Sequence, residues 1–383
     1  MSTGVPEAST GVPEASNGPL AGIRILEVGH MLAGPYATMM LADLGAEVVK
    51  IEPPGGDISR QVGDTYFASL NRGKRSVCLD LTAGAGQARL GELAAGAHAL
   101  LVNLKPSAIR RLGLTYEALR RWNERIVCVA LTGYGLAAGD DPAFDYVIQA
   151  ATGVAALTGD PAGPPTLPGY SSADNSAGLT AALGLLAQIV SGRGGQVEVC
   201  MRDVMLSQLN YHASAYLNKG VEPQRQAFGA HSYYVPAQLF PTAQGYLALF
   251  ITHDGFWTSF AQEAGITGFP TMSERVARRA EVLSVVTRAL AADTALAWES
   301  RLRPLGVPVA AVRTLPQALA AAPDLIVTVS ADASGSGDVT VSADRAAGGG
   351  LRLVGSPVRV GGYQPDYRPP PRLGEHGGQS EYR

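Results

Sequence analysis

From Ile23 onward the chain alternates short apolar runs that read as strands with Ala- and Leu-rich runs that read as helices, and this alternation limits the fold more than any other feature. IRILEVG from Ile23 is a strand ending in a glycine turn, Gly34 to Leu44 is helical, and EVVKIE from Glu47 is a second strand. Strands joined through a helix pair in parallel, because the crossover returns the chain in the same direction. The pattern recurs in VCLDL at Val77, a helix from Gly84, ALLVN at Ala99, a helix near Ala118 and IVCVALTG at Ile126. It continues in a helix from about Ser176 to Val190, a GRGG turn at Gly192 to Gly195 and the strand QVEVCM. The prediction is an α/β, doubly wound parallel sheet.

The chain has 383 residues, enough for about two to three domains at roughly 150 residues each. Residues 1–19 are expected to be a disordered tail, because STGVPEA occurs twice in tandem without apolar periodicity. Residues 20–221 are assigned to the large domain, with a helix from Asp203 to Lys219 leaving it. Residues 222–320 read as a smaller α+β domain built from AQLFPT, YLALFIT, helices between His253 and Leu305, and a strand pair in GVPVAAVRT. Residues 321–383 are a return segment and C-terminal tail on the large domain; a Ser/Gly/Asp-rich surface loop lies before Gly350, and Pro369 to Pro371 keep the tail extended.

With 30 Lys+Arg against 33 Asp+Glu, and no basic cluster longer than a pair, nucleic acid and anionic membrane surfaces are disfavoured as partners. The longest apolar stretch, around Leu179 to Val190, is too short for a transmembrane helix, and the polar N-terminus lacks a signal-peptide core. Cys78, Cys128 and Cys200 stand apart without ligand spacing, so they read as small buried thiols in a cytoplasmic, reducing setting, with no metal site.

The motifs for serine hydrolases, zinc proteases, phosphate loops and dinucleotide turns are missing, and Gly133-Tyr-Gly135 has the wrong spacing for the last. Polar residues instead collect at predicted strand ends, where open α/β sheets bind ligands. His30 follows the first strand, Asn71 to Lys74 precede the third, Asn103 and Lys105 follow ALLVN, and Tyr134 follows IVCVALTG. Arg72, Lys74, Arg75, Lys105 and Arg111 suit a phosphate-bearing ligand, or equally form a solvated basic face.

Five blocks carry a resemblance. LAGIRILEVGHMLAGPYATMMLADLGAEVVKIEPPGGD, LNRGKRSVCLDL, NLKPSAIRRLGLTYEAL, SSADNSAGLTAALGLLAQIVSGRGGQVEV and the C-terminal PVRVGG with RPPPRLGEH resemble, in order from Leu20 to His376, the family III CoA-transferases. That superfamily includes formyl-CoA and carnitine CoA-transferases and α-methylacyl-CoA racemases. The resemblance implies a Rossmann-like large domain, an interlocked homodimer, and coenzyme A or acyl-CoA as substrate with no tightly bound cofactor. It makes Asp174, in ADNSAG, the nucleophile that attacks a thioester to give an acyl-aspartyl anhydride and CoA thiolate. Sequence alone also allows Asp174 to be an ordinary helix N-cap preceding Ser176. Asn175 and Ser176 are candidates for lining the anhydride site. The implied CoA-binding set is His30, Ala33, Leu70, Asn71, Arg72 and Lys74, with Asn103, Leu104, Lys105, Arg111, Gly133 and Tyr134.

Departures from the family pattern bear on substrate. Leu32 stands where formyl-CoA transferases carry glutamine, which disfavours oxalate and formate, and Gly229 to Tyr234 (GAHSYY) replaces their glycine run. His231, Tyr233 and Tyr234 are then expected to touch the acyl group or to form a packed aromatic cluster. Phe144, beside Asp145, occupies the position at which racemases carry a proton-transferring histidine. Three readings follow: acyl-CoA:carboxylate CoA-transferase, 2-methylacyl-CoA racemase, and a CoA-binding protein without catalysis, the last disfavoured by Asp174.

Overall fold

The computed structural model describes residues 18–329 and 350–377. Six strands, β1 (Arg24–Val28), β2 (Glu47–Glu52), β3 (Arg75–Cys78), β4 (Ala99–Val102), β5 (Val127–Thr132) and β6 (Gly195–Cys200), form one sheet in the order β3-β2-β1-β4-β5-β6. Every pairing is parallel, as the alternation predicts. β4 and β5 are buried at every position, which explains their continuous apolar runs: a strand covered on both faces has no solvent side to make polar. Leu26, Val49, Leu100, Ile109 and Cys128 belong to the core beside this sheet.

Two compact units divide the chain, and neither is one continuous stretch. The first holds the described residues of 1–144, 173–204 and 323–383; the second holds 145–172 and 205–322. Residues 145–172 and 205–221, assigned from sequence to the large domain, thus cluster with the second unit. In the first unit β10 (Ile326–Val329) pairs antiparallel with β11 (Leu351–Val354). The C-terminal segment lies along β3, where Ser76 and His376 exchange hydrogen bonds and the Gly374 amide donates to Ser76 Oγ.

In the second unit β7 (Ala237–Pro241), β8 (Tyr246–Phe250) and β9 (Val309–Ala311) form an antiparallel sheet. Its core joins Phe240 and Leu247 to Trp257, Phe260 and Trp298, and to Val282, Val286 and Leu290 at the i, i+4 spacing of one helix face. GVPVAAVRT supplies the single strand β9 rather than a pair.

Several expected boundaries are corrected. The long helix runs Ser172–Val190, so Asp174 lies inside its first turn and not before it. Acidic side chains are favoured in a first turn, which lets Ser-Ala-Asp-Asn be helical. The expected Asp203–Lys219 helix is two, Met201–Gln208 and Asn210–Lys219. At the break, Asn210 Oδ1 accepts the Tyr211 amide, the kind of side-chain to backbone bond that competes with helix continuation. Cys128 is buried and Cys78 is exposed, against the expectation of buried thiols throughout. The doubled STGVPEA segment and residues 330–349, where most of the expected Ser/Gly/Asp-rich loop falls, lie outside the described residues. Among the described residues no helix is long and apolar enough to cross a membrane.

Candidate active site at the reversal of strand order

The strand order reverses between β1 and β4, so the chain leaves these neighbours in opposite directions and opens a crevice beyond their C-terminal ends. Asn103, just after β4, closes a two-bond clamp on the turn after β1: its Oδ1 accepts the His30 amide and its Nδ2 donates to the His30 carbonyl, both at 3.0 Å. The approach requires glycine nearby, since a Cβ at Gly29 or Gly34 would stand 2.9 Å from the Asn103 side chain. Met31, between them, adopts a left-handed φ of 60°, and its amide donates to Asp57 Oδ1.

Beneath the turn lies a quartet of charges. Glu27 binds Lys50 through Oε1 and Lys74 through Oε2, each at 2.7 Å, and Lys50 also meets Asp57 at 2.8 Å. All four side chains are fully buried. Burial alone would neutralise Glu27, yet the two ammonium groups hold its carboxyl below the usual range. Burial pushes Lys74 down to about 8, with Glu27 pulling the other way and Lys50 adding to the drop. The His30 imidazole is lowered mainly by burial, so at neutral pH it is uncharged; its buried Nδ1 has no partner among the described residues.

The Ser172–Val190 helix packs on the start of the Ala33–Ala42 helix. A Cβ at Gly178 would lie 2.6 Å from the Ala33 carbonyl oxygen and 3.3 Å from Tyr36. Asp174 sits one turn before Gly178, hence on the same face of its helix. Burial, then the negative charges of Asp174 and Asp57, raise the Tyr66 phenol, which places its hydroxyl within the field of both carboxylates.

The expected residues divide accordingly. His30, Ala33 and Asn103 meet at the clamped turn, with half-buried Leu32 between the first two. Lys74 and Arg72, expected near the CoA phosphates, both have internal carboxylate partners. Lys74 is enclosed by Glu27, the Pro35 carbonyl and Asn71 Oδ1, and Arg72 makes a two-pronged buried pair with Asp43. Leu70 and Asn71 are buried beside them, and Arg75 leans toward Glu47 at 3.6 Å. Lys105 and Arg111 are exposed at the two ends of the Pro106–Arg111 helix, while Leu104 packs on the sheet core. The Gly133 carbonyl accepts the Arg202 amide, and Tyr134 is half-buried. Phe144 is exposed, at 69%.

In the second unit Asp145, expected in the substrate pocket, is buried in the first turn of its helix and accepts Gln149 Nε2. His231 lies among Tyr234, Phe250, Tyr211 and Tyr233, with ring centroids 4.9 to 5.8 Å away. Burial, then His212 and Arg279, lower its pKa, and the Arg279 guanidinium donates to the carbonyls of His231 and Ser232. Both readings of GAHSYY retain support: the rings form a cluster, yet Tyr233 stays 53% exposed.

Over residues 20–377 the chain matches the model for CoA-transferase family III. It belongs to that family. A succinate–glutarate CoA-transferase of Agrobacterium fabrum is 32% identical over 309 residues, covering 74% of this chain and 76% of that one. An acetyl-CoA:oxalate CoA-transferase of Acetobacter aceti is 29% identical over 388 residues, covering 94% of each. Among solved structures, a Mycobacterium tuberculosis protein in an orthorhombic crystal form superposes with a TM-score of 0.81 at 29% identity, covering 95% of this chain and 99% of that one. A CaiB/BaiF family protein of Brucella suis gives 0.79 at 27%, covering 96% and 100%. In this family III enzyme, sequence reasoning passed over Glu27, Lys50, Asp57 and Tyr66. A signal was present, because Glu27 and Lys50 are charges inside apolar strand runs, where an unpaired charge is rarely buried.

Proposed function

We propose that the enzyme moves CoA from an acyl-CoA thioester to a free carboxylic acid, with Asp174 as the nucleophile. The carboxylate of Asp174 attacks the thioester carbonyl, the C–S bond breaks, and CoA leaves as thiolate, which leaves an acyl-aspartyl mixed anhydride. The thiolate then attacks the aspartyl carbonyl, releasing the donor acid and leaving an aspartyl-CoA thioester. The acceptor carboxylate reverses the sequence: it attacks aspartyl-CoA to form a second anhydride, and the thiolate attacks its acyl carbonyl, freeing Asp174. Bonds broken and formed are of equal kinds, so no energy source is consumed.

The observation that carries this reading is the position of Asp174 in the first turn of the Ser172–Val190 helix, packed by Gly178 on the turn at the reversal of strand order. The positive end of that helix favours the attacking carboxylate and the oxyanion that follows it. Lys105 and Arg111 are the exposed cations available to the CoA phosphates. Racemisation finds less support, since the Phe144 ring can carry no proton.

The acceptor is an acid with a hydrocarbon body, four- and five-carbon dicarboxylates included, because Leu32 offers no hydrogen bond to the inner oxygens of oxalate. A second copy of the chain completes the enzyme; Leu179, Leu183 and Val190, along one face of the helix, are 47%, 68% and 85% exposed in a single copy. The test combines exchange assays over a panel of acyl-CoA donors and acids with the variant Asp174→Ala. Transfer to succinate or a branched acid over oxalate is expected, with no transfer by the variant and nearly unchanged CoA binding. Transfer by the alanine variant contradicts the nucleophile, and oxalate as best acceptor contradicts the pocket.

A further inference from the structure

We infer that the buried quartet Glu27, Lys50, Asp57 and Lys74 is a positioning device, which fixes the turn from Gly29 to Pro35 on which the helix of Asp174 rests. The inference rests on Asp174 being the nucleophile. Each member grips this stretch of chain or the helix that follows it. Lys50 Nζ donates to the Gly29 carbonyl at 2.9 Å, the Met31 amide donates to Asp57 Oδ1 at 3.3 Å, and Lys74 Nζ donates to the Pro35 carbonyl at 2.8 Å. Glu27 Oε2 accepts the Thr38 hydroxyl at 2.6 Å, one turn into the Ala33–Ala42 helix. The stretch is therefore held from below at both ends and in the middle.

Stability alone gives little reason for such an arrangement. Buried ion pairs are commonly no more stabilising than well-packed apolar side chains, whereas their directional bonds admit one geometry. The turn needs that imposition, because Met31 has a left-handed φ that a non-glycine residue adopts only under constraint. The carbonyl of Ala33, within the held stretch, is the surface that Gly178 meets. A shift in the turn is thus passed to the helix carrying Asp174. Two positive and two negative charges balance within the quartet, so it needs no anion from the substrate.

Asp57 gives the sharpest test, because asparagine keeps the acceptor for the Met31 amide and alanine does not. Asp57→Ala, Asp57→Asn and Asp174→Ala are prepared in the full chain, and kcat is expressed per CoA-binding site counted by equilibrium titration. For Asp57→Ala, kcat per site is expected to fall about tenfold to a hundredfold, with KM within about threefold of the parent. Asp57→Asn should restore most of the rate. If Asp57→Ala does not fold, Thr38→Val, which cuts the link to Glu27 without altering charge, is expected to lower kcat per site about tenfold. An unchanged kcat per site in the folded variant, or equal impairment by alanine and asparagine, overturns the inference. Transfer by Asp174→Ala would overturn the nucleophile instead, so the two failures are distinguishable.

Discussion

Whether a lysine serves a ligand or the fold is decided by what surrounds its ammonium group. Lys74 and Lys105 look alike in sequence, each near a predicted strand end, but Lys74 is enclosed by three internal acceptors and Lys105 is exposed. Lys105→Ala and Arg111→Ala are therefore expected to weaken CoA about tenfold each, less so at high salt, as for a charge-assisted contact. Isothermal titration at two salt concentrations checks this; unchanged affinity returns both to a solvated face. Glu52 supplies a pH-dependent test. Burial would raise its carboxyl, but Arg60, Ser76 and the Asp57 amide hold it below the ordinary 4.5. As pH falls below 4.5 the unfolded chain takes up the proton first, so the stabilisation present above 4.5 is lost as pH falls through the lower folded value. Melting temperatures between pH 3 and pH 6 should show the gap between the parent and Glu52→Gln closing on acidification; a constant gap contradicts it.

Two glycines in the Ser172–Val190 helix separate close packing from mere tolerance. A Cβ at Gly178 meets a backbone carbonyl at 2.6 Å, while one at Gly184 meets only a side-chain methyl, Val197 Cγ1, at 3.0 Å. Gly178→Ala is expected to cost about 1 to 3 kcal/mol and reduce kcat, whereas Gly184→Ala should lie within about 1 kcal/mol of the parent, aided by helix propensity. Urea unfolding compares them, and equal effects would mean that the contact with Ala33 is not tight. Element types were legible because buried parallel strands are apolar throughout, as in β4 and β5. Boundaries were less so: Asp suits both an N-cap and a first turn, so the residue type does not separate the two roles although the backbone angles do, and the break at Leu209 depends on one asparagine bond.

Across the whole molecule, the α/β sheet followed from local alternation, but the division into units did not, because residues 145–172 leave and return within one stretch that reads as continuous. The site shows the same split. His30 and Asn103 could be placed at strand ends from the sequence because strand ends are legible, and their clamp joins residues 73 apart. Glu27 and Lys50 become visible partners only when β1 and β2 are paired, since the register sets them side by side. The internal pairs of Arg72 and Lys74 were hidden for the converse reason, that their carboxylate partners lie 29 and 47 residues away in the chain. The central claim is that Asp174 carries the transferred group, and the most direct measurement is peptide mass spectrometry of enzyme turned over with acyl-CoA in hydroxylamine. The expected result is a hydroxamate on Asp174, dependent on acyl-CoA. Unmodified Asp174 during sustained turnover, with the adduct elsewhere or none, would contradict it.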